Sequence, residues 1–361
     1  MHRHHHCSHG HHPAMCSFVP PHILDALAAR DAQESADPGH HQRTALITRQ
    51  LAAERQRNRL SADALPALAG LTTPTTGKTQ RAIYDDQNTT NFDVALVRGE
   101  GDAAGAAQNV NQAYDHAGAA RDFMKSMLGR DGADNAGMTI DVNVNFSVSF
   151  NNAFWDGTRL TMGNGDGVIF VDFAASPDVV GHELGHGIVQ FTANLDYVGQ
   201  SGALNESYAD VLGTLTEQRL RGETFETANW LIGDEIMAPG MYGEALRSMA
   251  HPGTAYNNSI LGQDPQPAHM SNYYAGPADN QGVHINSGIP NRAFYLTCAE
   301  LGTEAAGKVW YAGLQNLWPA AQFTDAAAVL AAQARILARD GAVPRQSAQA
   351  VRSAWREVGV I

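Results

Sequence analysis

The chain has 361 residues, 43% of them hydrophobic, and a formal net charge of −13 at pH 7. That length suffices for two lobes and a sizeable core, and the acidic balance argues against nucleic acid or an anionic membrane as partner. No run of eighteen apolar residues would cross a bilayer, and three cysteines (Cys7, Cys16 and Cys298) make no disulfide framework.

Residues 1–18 form a His/Cys-rich tail. It has no apolar stretch of the kind a Sec signal peptide needs, and both metal capture and a plain tail stay open as readings. Pro20-Pro21 then gives a stiff entry into a short amphipathic helix carrying Ile23, Leu24, Leu27 and Ala28. A further helix is predicted over Gln42–Leu60, with too small an apolar face to fold alone. The stretch Ala69–Lys78, rich in Thr, Gly and Pro, reads as an exposed linker. Strands are predicted over Arg81–Asp85 and Asp93–Val97, and a long helix over Asp102–Leu128. From Met138 to Phe150, apolar and polar residues alternate strictly, which predicts one half-buried antiparallel strand. Beyond Glu206 the pattern is mostly helical: Leu204–Arg221, Ala293–Glu300, Glu304–Leu317, Ala326–Arg339 and Ser347–Val358. No internal repeat is evident.

The chemistry centres on Val179-Val180-Gly181-His182-Glu183-Leu184-Gly185-His186, which contains His-Glu-x-x-His. At 3.6 residues per turn, His182 and His186 share one helix face and can grip one metal ion. Glu183 is one step round, placed to reach a water without being a ligand. A catalytic zinc takes a third protein ligand and keeps one position open. A third His six residues on is excluded, because Thr192 stands there. Glu206, twenty residues past His186, fits a carboxylate from a following helix. Asp210 lies on the same face of that helix and can accept the free ring N–H of one ligand His, while Asn205 can serve the other.

With these segments the chain resembles the thermolysin family of zinc endopeptidases, in its short-propeptide, protealysin-like branch. The resemblance runs from about Ile83 to the C-terminus. It rests also on Asn151-Asn152-Ala153-Phe154-Trp155-Asp156-Gly157, Gly163-Asn164-Gly165-Asp166-Gly167, Ala245-Leu246-Arg247-Ser248-Met249, and Asp279-Asn280-Gln281-Gly282-Val283-His284 with the residues that follow. It implies an α+β, two-lobed fold: a β-rich N-terminal lobe, a central zinc helix on the floor of a cleft and an all-α C-terminal lobe. The expected divisions are a tail over 1–18, a propeptide over 19–70, an N-terminal peptidase lobe over 71–193 and a helical lobe over 194–361. A permanent N-terminal helical hairpin is the competing reading of the second of these.

The resemblance also implies roles. Zn²⁺ held by His182, His186 and Glu206 lowers the pKa of a bound water from about 15.7 toward about 7. Glu183 acts as general base, and His284, oriented by Asp279, joins Tyr197 in stabilising the oxyanion. Asn152 and Ala153 hold the substrate backbone, and Arg247 holds the carbonyl of the residue after the cut. Phe170, Phe173, Val179, Ile232 and Leu246 line that residue's pocket, which implies cleavage on the amino side of bulky apolar residues. Asp178, Glu217, Asp234 and Glu235 match a calcium cluster, with Asn229 where the family has a further Asp. Gly185 replaces the family's usual Thr, at a helix-propensity cost of roughly 1 kcal/mol relative to Ala. The implied partners are a peptide substrate and the chain's own propeptide, in a secreted monomer. With no Sec signal in view, a non-Sec route and cytosolic retention are both open. A zinc aminopeptidase is the alternative enzyme, against which stands the lack of a Met-Glu-Asn segment. A zinc-buffering protein with a vestigial site is the non-enzyme alternative.

Overall fold

The protein is described from a computed structural model. It describes residues 16–31, 39–63 and 79–361, with side chains left out for 54–63. The tail up to residue 15 and the linker over 69–78 lie outside the described residues.

Strand β1 is Cys16–Ser17, followed by helices α1 (Pro21–Asp31) and α2 (His40–Asp63). The N-terminal lobe then adds β2 (Arg81–Asp85), β3 (Ala95–Gly99), α3 (Gln108–Phe123), β4 (Ile140–Val144), β5 (Ala153–Trp155) and β6 (Leu160–Met162). The strands form one six-stranded mixed sheet in the order β1-β5-β6-β4-β2-β3. Within it, β4 pairs parallel with both β2 and β6, and the other pairs are antiparallel. Without β1, strand β5 would be an open edge, a ready template for an extended peptide.

The long antiparallel strand predicted over Met138–Phe150 is therefore a short, parallel-paired one. After Val144 the chain turns through Asn145, Ser147 and Ser149, with φ of 54°, 57° and 49°. Left-handed residues at every second position keep the apolar residues in step while ending the extension. Phe146 and Phe150 pack with Phe154 in a satellite cluster, against which Ile47 and Leu51 of α2 rest. Val148, expected on the same face, is exposed.

Helix α4 (Pro177–Gln190) is the floor of the cleft, and α5 (Gly199–Arg221) packs along it. Pro177 at the first helical turn and Asp178 beside it favour the start of α4. Every residue from Pro177 to Val189 is buried, so α4 is an interior helix rather than an amphipathic surface one. Glycines set how close α5 can come. A Cβ on Gly185 would lie 3.0 Å from Ala209 Cα, and one on Gly213 would lie 2.5 Å from the Asp178 carbonyl oxygen. The propensity cost of Gly185 is thus set against close helix packing.

The C-terminal lobe opens with the two-stranded pair β7 (Leu231–Ile232) and β8 (Arg247–Ser248). It continues through α6 (Ala278–Asn286), α7 (Gly288–Leu301), α8 (Thr303–Leu314), α9 (Phe323–Arg339) and α10 (Ser347–Glu357). The expected C-terminal helices are present, most of them with ends shifted by a few residues; α7 begins five residues before the predicted Ala293. The predicted long helix over Asp102–Leu128 begins only at Gln108 and closes in a π-turn over Met124–Leu128. Cys298 is buried within α7 as expected.

Candidate metal centre and cleft

Helical spacing brings His182 and His186 together, with their Nε2 atoms 3.0 Å apart. Two Zn–N bonds of about 2.0–2.1 Å at a tetrahedral angle would separate such atoms by roughly 3.3 Å. From α5, the Glu206 carboxylate comes to 3.7 Å from His182 Nε2 and 3.5 Å from His186 Nε2. The opposite ring nitrogens are fixed: His182 Nδ1 bonds Asp210 at 2.8 Å, and His186 Nδ1 bonds Asn205 at 2.9 Å. Both bonds hold each Nε2 toward the common centre. Glu206 is fully buried, yet its Oε2 has no hydrogen-bond partner among the described residues. Two imidazoles and a carboxylate aimed at one point, with a buried anionic oxygen unmatched, fit zinc.

Glu183 is also fully buried, and no side chain among the described residues hydrogen-bonds its carboxylate; only the Trp155 backbone stands beside it. Burial, then the nearby Glu206 carboxylate, pushes its pKa well above the ordinary carboxyl range. A cation at the centre would oppose that push.

Facing α4 stands His284, 3.6 Å from Glu206 Oε1. Its Nδ1 lies 2.6 Å from Asp279, whose other oxygen accepts the His284 backbone N–H at 2.8 Å. Burial disfavours the imidazolium, but the Glu206 and Asp279 carboxylates outweigh it and raise the pKa to about 9. Asp279 reaches back through a left-handed turn in which Asp279, Asn280, Gln281 and Gly282 have φ of 56°, 49°, 66° and 80°. Three non-glycine residues in this region are backbone strain at the site, of order 1–2 kcal/mol each. The Tyr197 hydroxyl donates to Glu206 Oε1 and lies 3.2 Å from His284 Nε2.

Asp210 does more than orient His182. Arg247 grips it with two hydrogen bonds of 2.9 and 2.8 Å, and Asn291 donates to it at 2.8 Å. Arg247 and Asp210 are both buried, and their pairing, against the penalty of burial, keeps the carboxyl well below its usual range. Asn291 was not anticipated; no local motif marks it, because it arrives from α7.

The N-terminal segment lies across the cleft, in a way the sequence did not reveal. Cys16 stands opposite Trp155 and Ser17 opposite Phe154. The Phe18 N–H donates to the Ala153 carbonyl at 3.0 Å, and the Val19 N–H donates to Asn152 Oδ1 at 2.9 Å. Arg247 Nη1 donates to the Phe18 carbonyl at 3.1 Å. The Phe18 ring is 5.0 Å from the His182 ring and 6.5 Å from that of Phe173. A Cβ on Gly233 would lie 2.9 Å from the Phe18 ring and 3.4 Å from Leu246 Cδ1, so the ring sits against that glycine. Phe170, Phe173, Val179, Ile232 and Leu246 are all buried, and Phe170 stacks obliquely on Phe173. Farther out, His41 of α2 bridges Asp31 at 2.7 Å and Asp166 at 3.0 Å, closing α1 and α2 onto the N-terminal lobe.

A second acidic cluster lies at the start of α4. Asp178 accepts from the Gly233 N–H at 2.7 Å and from the Ser176 hydroxyl. Arg221 links Glu217 at 3.0 Å and Glu235 at 2.5 Å. Asn229 donates to Asp234 at 2.9 Å. Burial, then Asp178, pushes Glu217 up to about 9 and Asp234 up to about 6. The four expected calcium residues do gather; Arg221 pairs with two of them, while Asp234 Oδ1 is buried without a hydrogen-bond partner among the described residues.

The family model described as "Thermolysin metallopeptidase, catalytic domain" matches residues 68–190, and "Thermolysin metallopeptidase, alpha-helical domain" matches 193–360. An extracellular metalloprotease of Pectobacterium carotovorum subsp. carotovorum is 41% identical over 300 residues, 82% of this chain and 83% of the relative. Protease PrtS of Photorhabdus sp. is 40% identical over 287 residues, 78% of this chain and 76% of the relative. Among solved structures, the precursor of protealysin, a metalloproteinase from Serratia proteamaculans, superposes with a TM-score of 0.81 at 38% identity. That match covers 96% of this chain and all of the other.

Proposed function

The chain belongs to the thermolysin family of metallopeptidases, in its protealysin-like branch, and is a zinc-dependent metalloendopeptidase; from that premise we propose that it is a secreted zymogen. Its mature form cuts internal peptide bonds on the amino side of bulky apolar residues. The observation that carries this reading is the Phe18 contact set. A bulky apolar side chain enters the pocket beside His182, and its carbonyl meets Arg247. Its N–H meets the β5 backbone, as a substrate residue following the scissile bond would. The chain up to about residue 70, with Cys16–Phe18 in the cleft, acts in this reading as a removable inhibitor, and the names of the extracellular relatives support export.

In the proposed reaction His182, His186 and Glu206 hold zinc, with Asp210 and Asn205 behind the imidazoles. Zinc, when bound, supplies Lewis-acid polarisation and makes water nucleophilic near neutral pH. Glu183 takes the proton of the attacking water on a carboxylate oxygen and passes it to the leaving amine. The His284 Nε2, which lies 3.0 Å from the Ser17 carbonyl oxygen, donates to the oxyanion as it forms, together with the Tyr197 hydroxyl. Asp279 keeps the His284 ring turned for that donation. Asn152, Ala153 and Arg247 fix the backbone on either side of the cut. Phe170, Phe173, Val179, Ile232 and Leu246 shape the pocket for the residue after the cut, and so set the preference.

The acidic cluster of Asp178, Glu217, Asp234 and Glu235 does not fit calcium without displacing Arg221, so we assign its charge balance to that guanidinium.

The test is a Glu183→Gln enzyme. It should keep one zinc per chain and lose at least about two orders of magnitude in kcat on an internally quenched Gly-Leu peptide. Zinc retention with near-normal turnover would remove Glu183 from the mechanism.

A further inference from the structure

We infer that Cys16 is a fourth ligand to the metal, a thiol latch that keeps the precursor closed. The inference rests on the reading of His182, His186 and Glu206 as zinc ligands and goes beyond it.

The Cys16 Sγ, a ring nitrogen of His186 and a carboxylate oxygen of Glu206 all lie within 4.8 Å of one another, and all three residues are buried. This placement is held by backbone. Cys16 is locked opposite Trp155 by the β1–β5 register, and the next two residues are tied to His284, Ala153 and Arg247. A second observation is independent of the cysteine. Glu206 is fully buried and its Oε2 has no hydrogen-bond partner among the described residues, which marks a polar centre lacking its cation. Thiolate is a strong zinc ligand, with Zn–S near 2.3 Å, and four protein ligands make a zinc site closed where three leave it catalytic.

The latch accounts for a difficulty in the cleft. The Ser17–Phe18 peptide lies along β5 with the substrate-like contacts already described, so geometry alone invites its hydrolysis. A sulfur from the preceding residue takes the corner that the nucleophilic water needs. As the latch forms, the S–H bond breaks, its proton goes to solvent and a sulfur lone pair makes the metal bond. Nothing is oxidised or reduced. Release needs only departure of the strand or chemical capture of the thiol.

The experiment is X-ray absorption at the zinc edge on the full-length chain, made hydrolytically silent by Glu183→Gln. One sulfur scatterer near 2.3 Å is expected per zinc. It should vanish in Glu183→Gln/Cys16→Ser, which keeps one zinc with nitrogen and oxygen ligands alone. It should persist in Glu183→Gln/Cys7→Ser. Cobalt substitution gives a second readout, a thiolate-to-cobalt charge-transfer band lost on Cys16→Ser. A zinc shell of nitrogen and oxygen only in the parent overturns the latch, as does sulfur that survives Cys16→Ser. Zinc that survives His182→Ala with His186→Ala would instead overturn the underlying ligand assignment. If Cys16→Ser disturbs folding, Cys16→Ala with the same spectra serves in its place.

Discussion

Two acid-rich clusters stand along the packed pair α4 and α5, one fully buried around His182 and one partly exposed around Asp178, and they have different characters. Around His182, the two imidazoles have their outer nitrogens engaged, while Glu206 Oε2 has no hydrogen-bond partner among the described residues. Around Asp178, an arginine, a serine, an asparagine and a backbone N–H engage at least one oxygen of each carboxylate, although Asp234 Oδ1 has no partner among the described residues. Burying unmatched anionic oxygens costs several kcal/mol unless a cation arrives. The first cluster is therefore arranged for an external ion, and the second carries its own cation. Acidic residues in a sequence motif do not distinguish these cases; what matters is which partners the fold has already given them.

The sharpest way to break this comparison is to neutralise one carboxylate in each cluster. With Cys16→Ser in both proteins, Glu206→Gln should reduce the zinc retained after dialysis to near zero and abolish hydrolysis. Glu217→Gln should leave zinc content unchanged. Metal analysis of the two purified variants decides it. Equal zinc in both would mean that Glu206 is not a ligand.

What the sequence disclosed follows the range of the interactions. His182, Glu183 and His186 share one helix, so periodicity alone orders them. Glu206 needed only the next helix in the chain. The partners of Asp210 were harder, because Arg247 came through family likeness and Asn291 through no signal at all; both cross from elements far along the chain. The segment Cys16–Val19 was missed for the same reason. A two-residue strand has no period of its own and exists because β5 offers an edge. The stretch Met138–Phe150 shows the opposite failure. Its alternation is real, yet it continues through left-handed turns, so a pattern of period two outlasted the strand that explained it.

A smaller effect is expected at Arg221, whose side chain is about one-third exposed. Screening by solvent holds its pairs to roughly 1 kcal/mol. Arg221→Met should lower the melting temperature by a few degrees at most, and added calcium should restore it by filling the charge left open. The parent should melt at the same temperature in EGTA and in calcium. A parent that loses stability in EGTA would show that Arg221 does not replace a metal there.

The smallest effect should appear in the docking of α1 and α2 on the N-terminal lobe. His41 is set between Asp31 on α1 and Asp166 on the N-terminal lobe, with His40 beside it. Burial alone would lower its pKa, but the hydrogen bonds to Asp166 and Asp31 outweigh it and raise the pKa above 6.5. The same contacts hold both carboxyls below 3.8. A group whose pKa is raised on docking stabilises the docked form below its ordinary value and loses that contribution as pH climbs through the raised one. The two carboxylates contribute above their ordinary value and fail only in acid. Docking should therefore be firmest between about 3.8 and 6.5, and should loosen as pH climbs from there through the raised His41 value. Hydrogen exchange in α2, corrected for its intrinsic pH dependence, should show protection falling across that upper limit in the parent and staying flat in His41→Gln. Identical profiles in the two proteins would remove His41 from the contact's pH response.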